Sequence, residues 1–195
     1  MRTKKMAIAL LLCFLTLMCS APTAYAYNTF NQHKLVYGVG NYGNDTQHYY
    51  ITSSASGYTS YINTAMSQWV NTTSSMGVTT PISYTSTTTQ SSSRMDIYQV
   101  STVNDWWGLT TMYSGNTEVD PFSSNWVWGK IQLDGAFANL TNDKRLAVIA
   151  HEMGHVMGLA HSDMSNVLMR ADIAYNTSGT TRAQVNDLAG INYLY

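Results

Sequence analysis

One stretch of eleven residues, from His151 to His161, constrains this chain more than any other part of it. Its sequence, HEMGHVMGLAH, has the form H-E-x-x-H-x-x-G-x-x-H. Helical residues four apart lie on one face, so His151 and His155 can bind the same metal ion. A continuing helix would carry residue 161 about 15 Å beyond residue 151. Gly158 can take the left-handed conformation that ends a helix, so His161 can return as a third ligand.

Three imidazoles in this arrangement are typical of a tetrahedral zinc site whose fourth position stays open for water, which marks a catalytic site. Glu152 follows the first ligand, where it can hold that water without binding the metal. The alternative is an amphipathic helix with incidental histidines. That alternative is weak, because the whole chain has 5 His and the motif uses three of them. We predict that His151, His155 and His161 bind Zn²⁺ and that Glu152 is catalytic.

The extended motif resembles that of the metzincin metallopeptidases, in which a Met-turn follows it. Met169 follows His161 by eight residues and resembles the Met-turn methionine, which would form an apolar floor beneath the zinc. Residues 80–84 and 94–97 are similar to two strands of the matrixin-like group, and residues 186–195 are similar to its C-terminal helix. This resemblance implies an α+β fold, a metzincin-like catalytic domain with a twisted mixed sheet, an active-site helix and a C-terminal helix.

The chain also departs from the matrixin pattern. We expect no propeptide with a zinc-blocking cysteine, and no second, structural zinc, because residues 101–140 contain no His. Asn186 stands where the resemblance implies the first of two aspartates, whereas Asp187 keeps the second and would brace the Met-turn. Ca²⁺ could bind through loop carboxylates, although solvated side chains are the favoured interpretation; the carboxylates are those of Asp105, Glu118, Asp120 and Asp134.

The first 26 residues have the features of a secretory signal peptide. Three basic residues, Arg2, Lys4 and Lys5, precede an apolar run at 6–18. That run is shorter than the roughly 20 residues that span a bilayer. Residues 24–26, Ala-Tyr-Ala, form a cleavage site that would leave Tyr27 as the mature N-terminus. We therefore predict a signal peptide at 1–26 and a zinc metallopeptidase catalytic domain at 27–195.

Composition limits the metal ligands and the partners that we expect for the predicted mature chain. Both cysteines, Cys13 and Cys19, lie in the predicted signal peptide, so His and carboxylates are the only strong metal ligands left. Without the signal peptide, 7 basic residues remain against 11 acidic ones, a net charge of −4. No basic stripe indicates nucleic acid. We expect a secreted, extracellular monomer with a protein or peptide substrate, no nucleic-acid partner and no membrane contact once the signal is removed.

Hydrophobic periodicity and turn residues predict the secondary structure. A surface loop is expected at 114–125. The last helix is expected to open with a capping box at 181–184 and to turn Val185, Leu188 and Ile191 inward. Strands are predicted at 34–39, 82–85, 94–100, 108–113 and 130–133, and two further helices at 57–70 and 142–158.

The predicted function is a secreted zinc-dependent endopeptidase that hydrolyses peptide bonds with a zinc-bound water and Glu152 as general base. By resemblance, the substrate would extend along the edge strand at 109–112. The small Ala147 would leave the pocket after the scissile bond open to large apolar residues, with Tyr175 on the other wall. Two alternatives remain, a zinc hydrolase with a non-peptide substrate and a catalytically silent zinc-containing binding protein. The intact Glu152 argues against the second.

Overall fold

The computed structural model describes residues 27–173 and 179–195. The predicted signal peptide and Tyr175 lie outside the described residues. The strands are β1 (Gln47–Ile51), β2 (Tyr84–Thr87), β3 (Met95–Gln99), β4 (Gly108–Ser114), β5 (Thr117–Val119) and β6 (Trp128–Leu133). The α-helices are α1 (Thr59–Val70), α2 (Thr72–Met76), α3 (Asn142–Val156) and α4 (Val185–Leu194).

The six strands form one mixed sheet in the order β2-β1-β3-β6-β4-β5. The strands β2, β1, β3 and β6 run parallel to one another, whereas β4 runs antiparallel to both β6 and β5. The predicted α+β fold with a mixed sheet is therefore confirmed. β5 pairs only with Met112–Ser114 of β4. Within the described residues, no strand pairs with the outer side of β4 at 108–111.

Helices α1 and α3 cover one face of this sheet. In β6, Gly129, Ile131 and Leu133 are buried and alternate with half-buried residues, the period expected of a strand with one covered face. A Cβ atom at Gly129 would lie 2.6 Å from the Val156 side chain, so glycine lets α3 approach the sheet closely. The Trp69 indole of α1 donates a hydrogen bond of 3.0 Å to the Ala150 carbonyl of α3. This packing fixes α3 against the sheet.

The first predicted strand, at 34–39, is wrong. Leu35 forms a single bridge with Trp126, and Gly38, at φ +70°, then donates its N–H to the Leu35 carbonyl in a turn. The first strand is instead β1, for which no prediction was made. The predicted surface loop at 114–125 is also partly wrong, since Gly115 and Asn116 form a two-residue hairpin turn into β5.

The predicted helices are confirmed in position and differ at their ends. The active-site helix begins at Asn142, where the Thr141 hydroxyl accepts the Lys144 N–H, and it ends at Val156. The C-terminal helix is capped by Gln184 and Asp187, so the capping box predicted at 181–184 is wrong. This shift leaves Val185 42% exposed, whereas Leu188 and Ile191 are buried as predicted. In the part of the chain that the structure describes, no helix is long and apolar enough to cross a membrane.

Candidate metal centre

The side chains of three histidines converge on one point. His151 and His155 project from the same face of α3, and His161 faces them from the following loop. The Nε2 atom of His161 lies 3.2 Å from Nε2 of His155 and 3.2 Å from Nε2 of His151. Two nitrogen ligands in a tetrahedral zinc site, each about 2.0–2.1 Å from the metal, lie about 3.3–3.4 Å apart. The spacing therefore fits one Zn²⁺ ion.

The turn at Gly158 brings the third histidine back to the helix. Gly158 has φ +104°, a conformation that favours glycine. A Cβ atom at this position would also lie 2.6 Å from the Leu194 side chain of α4. The Leu159 N–H then donates to the Gly154 carbonyl over 3.0 Å and starts the return of the chain. The predicted role of Gly158 is confirmed in its backbone conformation.

Hydrogen bonds to main-chain carbonyls orient two of the rings. Nδ1 of His151 lies 2.8 Å from the Leu168 carbonyl, and Nδ1 of His155 lies 2.7 Å from the Leu159 carbonyl. Because these Nδ1 atoms donate, each Nε2 keeps a lone pair that faces the common point. Burial lowers the pKa of His151 to about 4 and also lowers the pKa of His155 well below its usual value. Both rings therefore stay neutral, the form that binds metal.

Met169 packs against α3, the helix that carries His151 and His155. Its side chain is 2% exposed, and its Sδ atom packs against Gly154 where a Cβ atom would otherwise lie. The Asp187 carboxylate holds this segment by accepting the N–H groups of Leu168 over 2.9 Å and of Met169 over 3.3 Å. Since the Leu168 carbonyl orients His151, Asp187 is linked to the metal centre through one residue. This contact agrees with the predicted bracing role of Asp187.

Glu152 is buried beside the histidines, with 6% of its surface exposed. Its Oε2 atom accepts a hydrogen bond of 2.7 Å from the Thr110 hydroxyl of β4. Burial raises the pKa of Glu152 to about 7, and the hydrogen bond from Thr110 opposes this rise. Gly108 of the same strand packs directly on the Glu152 side chain. Sequence reasoning missed both Gly108 and Thr110.

The chain just after the predicted cleavage site lies along residues 158–161, the loop that carries His161. We call residues 28–30 the N-terminal strap. Thr29 forms an antiparallel bridge with Leu159, and the Ala160 N–H donates to the Asn28 carbonyl over 3.0 Å. The Asn28 side-chain amide donates to the His161 carbonyl over 2.8 Å. No sequence signal pointed to the strap, which therefore adds an unexpected support for the third histidine.

Two cavities open on either side of Glu152. The first, which we call the Phe30 cavity, has a volume of about 550 Å³ and reaches Glu152, His155 and His161. The second, the Trp107 cavity, has a volume of about 310 Å³ and is lined by Val148, His151 and Ile173 among others. A separate cavity of about 320 Å³ is lined by Ala147 and Ile173 but by neither Glu152 nor the three histidines, so the predicted substrate pocket beside Ala147 stays a prediction.

The acidic residues named as calcium ligands are spread over different parts of the surface. Asp105, Glu118 and Asp120 are exposed. Asp134 is 1% exposed, and its carboxylate accepts hydrogen bonds from Asn104 and Ala136. Among the described residues, the only group of three or more His, Cys, Asp or Glu side chains able to hold one metal is formed by His151, His155 and His161. The favoured interpretation of solvated side chains agrees with the exposure of three of these residues and is wrong for Asp134, which is buried.

A helix with two histidines, a returning loop with a third and a glutamate beside them together define a metallopeptidase-type centre. The sequence model of the matrixin family, Peptidase M10, matches residues 29–195. The chain therefore belongs to the matrixin family of metallopeptidases, and the predicted resemblance is confirmed.

Comparison with solved structures gives alignments with myroilysin at low sequence identity. One structure of myroilysin aligns with 90% of this chain and 96% of its own, at 11% sequence identity and a TM-score of 0.46. A second myroilysin structure aligns with 60% of this chain at 12% identity and a TM-score of 0.39, and the match spans 48% of that chain. No curated protein matches the sequence significantly.

Proposed function

We propose that this protein is a secreted zinc-dependent endopeptidase in which Glu152 is the general base. The observation that carries the proposal is the position of Glu152. Its carboxylate lines the same cavity as His155 and His161, beside the unpaired part of β4. Family membership supports metallopeptidase activity, and this arrangement supports the finer assignment of roles.

His151, His155 and His161 would hold the zinc through their Nε2 atoms, and Met169 would pack beneath them as the Met-turn methionine. Zinc, when bound at such a site, acts as a Lewis acid that acidifies water and polarises a carbonyl group. The buried carbonyls of Leu168 and Leu159 keep two of the rings in the orientation that this binding requires.

Glu152 would move the proton. Thr110 fixes its Oε2 atom, so the carboxylate keeps one orientation towards the cavity. It would take a proton from the attacking water and pass it to the departing amine as the peptide bond breaks. A buried carboxylate is suited to both steps, because burial brings the pKa of Glu152 closer to neutral pH.

The substrate would bind in an extended conformation along β4. The outer side of this strand is unpaired at 108–111 within the described residues, and it borders the cavity next to Glu152. A peptide that binds as a further strand forms main-chain hydrogen bonds, which do not depend on its side chains. A cleft that is open along the strand accepts the interior of a chain, as an endopeptidase requires.

Replacement of Glu152 by Gln tests the proposal. We expect E152Q to retain zinc and to lose casein and peptide cleavage by at least about 10²–10⁴-fold, because the proton acceptor is gone. Glu118→Gln is the matched control, since Glu118 is the other glutamate of the chain and is exposed on β5. Zinc content would be measured on the same samples. Cleavage by E152Q at a rate close to wild type would refute the role of Glu152.

Secretion is tested separately. The protein is expressed with its own N-terminus in a secreting host, and the product in the medium is identified by mass spectrometry. We expect a chain that begins at Tyr27, after the Ala-Tyr-Ala site. Retention of the uncleaved chain inside the cells would contradict both the signal peptide and the extracellular location.

A further inference from the structure

The Phe30 cavity is built from three separate parts of the chain. The N-terminal strap supplies one wall, the segment Pro121–Phe122 supplies a second, and β4 supplies a third through Leu109 and Met112. Its volume of about 550 Å³ lies within the usual range for ligand pockets, roughly 300–1,000 Å³. It is the larger of the two cavities that border Glu152.

Hydrogen bonds connect the walls to one another and to Gly158, in the loop that leads to His161. The Phe30 N–H donates to the Gly158 carbonyl over 3.4 Å, and the Asn31 side-chain amide donates to the Phe122 carbonyl over 2.9 Å. The Lys34 N–H also donates to the Asn125 side chain over 2.9 Å. These bonds hold the strap and the 121–122 segment together, so the cavity is formed before any substrate binds.

Aromatic rings form part of the cavity wall. The Phe30 ring is 8% exposed and meets the Phe122 ring edge to face, with centroids 5.0 Å apart. On its other sides it lies 6.0 Å from the Trp126 ring and 5.7 Å from the His155 ring. Phe122 itself is 50% exposed, and its contact with Phe30 covers only part of the ring. An apolar side chain of a substrate could cover this exposed surface.

The chemistry of the lining favours an uncharged occupant. Among the described residues that line the cavity, only Glu152, His155 and His161 are ionisable, and all three face the metal centre. The neighbouring Asp120 carboxylate is occupied by the Phe122 N–H and the Ser123 hydroxyl. The surface beyond the metal centre is therefore uncharged, and it combines aromatic and aliphatic side chains with the polar side chains of Asn28, Thr29 and Thr110.

The position of the cavity along α3 sets which side of the scissile bond it serves. Val148 and His151 line the Trp107 cavity, whereas His155 lines the Phe30 cavity. Residues 147 and 155 are about 12 Å apart along the helix axis. The family resemblance puts the pocket after the scissile bond beside Ala147. The Phe30 cavity lies on the opposite side of the centre, next to His155, so it would serve residues before the bond.

We propose that the Phe30 cavity is a substrate subsite for a large apolar or aromatic side chain before the scissile bond, with Phe30 and Phe122 setting this preference. The inference rests on the proposed peptidase function and adds the class of substrate that the site selects.

The test compares pairs of peptides that differ in one residue before the scissile bond, Phe in one and Ala in the other. The wild type should cleave the Phe peptide with a kcat/KM about tenfold or more above the Ala peptide. Phe122→Ala should remove most of this difference by slowing cleavage of the Phe peptide alone. Phe30→Leu, which keeps an apolar residue in the cluster, should reduce the preference less. Tyr42→Ala, at an exposed aromatic residue outside both cavities, is the control and should behave as wild type.

Equal cleavage of the two peptides by the wild type, across all positions before the bond, would overturn the subsite. An equal loss on both peptides in Phe122→Ala would overturn it as well. Failure of the wild type to cleave any peptide would count against the proposed function. In that case calorimetric binding of the same peptides to zinc-loaded E152Q decides the subsite. A stronger affinity for the Phe peptide that Phe122→Ala removes supports it, and equal affinities reject it.

Discussion

Gly108 and Glu152 are packed so closely that no side chain fits between them. A Cβ atom at position 108 would lie 2.7 Å from both Cγ and Oε1 of Glu152. Two residues further along β4, the Thr110 hydroxyl binds Oε2 of the same carboxylate. One strand therefore limits the position of the Cγ and Oε1 atoms of Glu152 and holds its Oε2 atom by a hydrogen bond. β4 thus positions the Glu152 carboxylate as well as bordering the Phe30 cavity.

Gly108→Ala tests this contact. The added methyl group forces Glu152 or the strand to shift, and a displacement of about 1 Å can slow an enzyme by about 100-fold. We expect kcat/KM to fall by about 10- to 100-fold while zinc content stays near one ion per chain. Gly57→Ala is the control, because a Cβ atom there meets nothing within 4 Å. Unchanged kinetics in Gly108→Ala would show that the carboxylate has room to move.

The convergence of the three histidines could be predicted because their geometry is encoded locally. The spacing of His151, His155 and His161 on a helix followed by a glycine turn is sufficient to bring three imidazoles together. Thr110 and Asn28 could not be found in this way, because they lie 42 and 133 residues from their hydrogen-bond partners at the centre. Their contacts depend on how the sheet and the strap pack against α3, which no short pattern contains.

The missed first strand has a similar cause. β1 begins with Gln47, a polar residue that is only 6% exposed. Its side-chain amide is satisfied by the carbonyls of Asp45 and Tyr37, at 2.9 and 3.3 Å. A buried glutamine breaks the expected alternation of apolar and polar residues, so the pattern at 47–51 does not predict a strand. The apolar residues at 35–39 resemble a strand more closely but form a turn.

The Asn28 side chain should contribute to zinc affinity. Its amide donates to the carbonyl of His161, the most exposed of the three predicted ligands. Hydrogen bonds to the side chains of metal ligands typically change metal affinity by about 10- to 100-fold. The Asn28 bond holds the main chain of His161 instead, so we expect Asn28→Ala to raise the zinc Kd by roughly tenfold, the lower end of this range. Competition with a chromophoric chelator measures the Kd. Asn44→Ala is the control, because Asn44 makes a similar side-chain bond, to the Asn41 carbonyl, away from the centre. Equal Kd values for the two variants would contradict the prediction.

Asp187 should support both the stability of the fold and the binding of zinc. Its carboxylate accepts main-chain N–H groups from Leu168, Met169 and Gln184. Asp187→Ala leaves buried donors unpaired, and we expect the free energy of unfolding to fall by about 2–3 kcal/mol. Zinc affinity should also fall, because the Leu168 carbonyl would no longer hold the His151 ring firmly. Urea unfolding of the zinc-loaded and zinc-free forms separates the two effects. Asn192→Ala, an exposed position on α4, serves as the control, and similar unfolding of both variants would argue against this role.

Asp134 should stabilise the loop that carries Trp107, and this contribution should depend on pH. Its Oδ1 atom accepts the Ala136 N–H over 2.7 Å, and its Oδ2 atom accepts the Asn104 main-chain N–H over 2.7 Å and the Asn104 side-chain amide over 3.0 Å. Burial raises the pKa of Asp134, but these hydrogen bonds outweigh burial and leave its pKa below the usual 3.8. The folded state therefore binds the charged carboxylate more favourably than the unfolded state does.

At neutral pH we expect Asp134→Ala to lower the free energy of unfolding by about 1–2 kcal/mol. A group with a depressed pKa stabilises the fold fully above its unfolded pKa and loses this contribution as the pH falls through the folded pKa. The difference in stability between wild type and Asp134→Ala should therefore be constant from pH 7 to about 5 and shrink below about 4. Urea titrations at several pH values measure it, with Asp105→Ala, an exposed carboxylate of the same loop, as the control. A difference that grows as the pH falls below 4 would show that the Asp134 carboxylate is not the stabilising form.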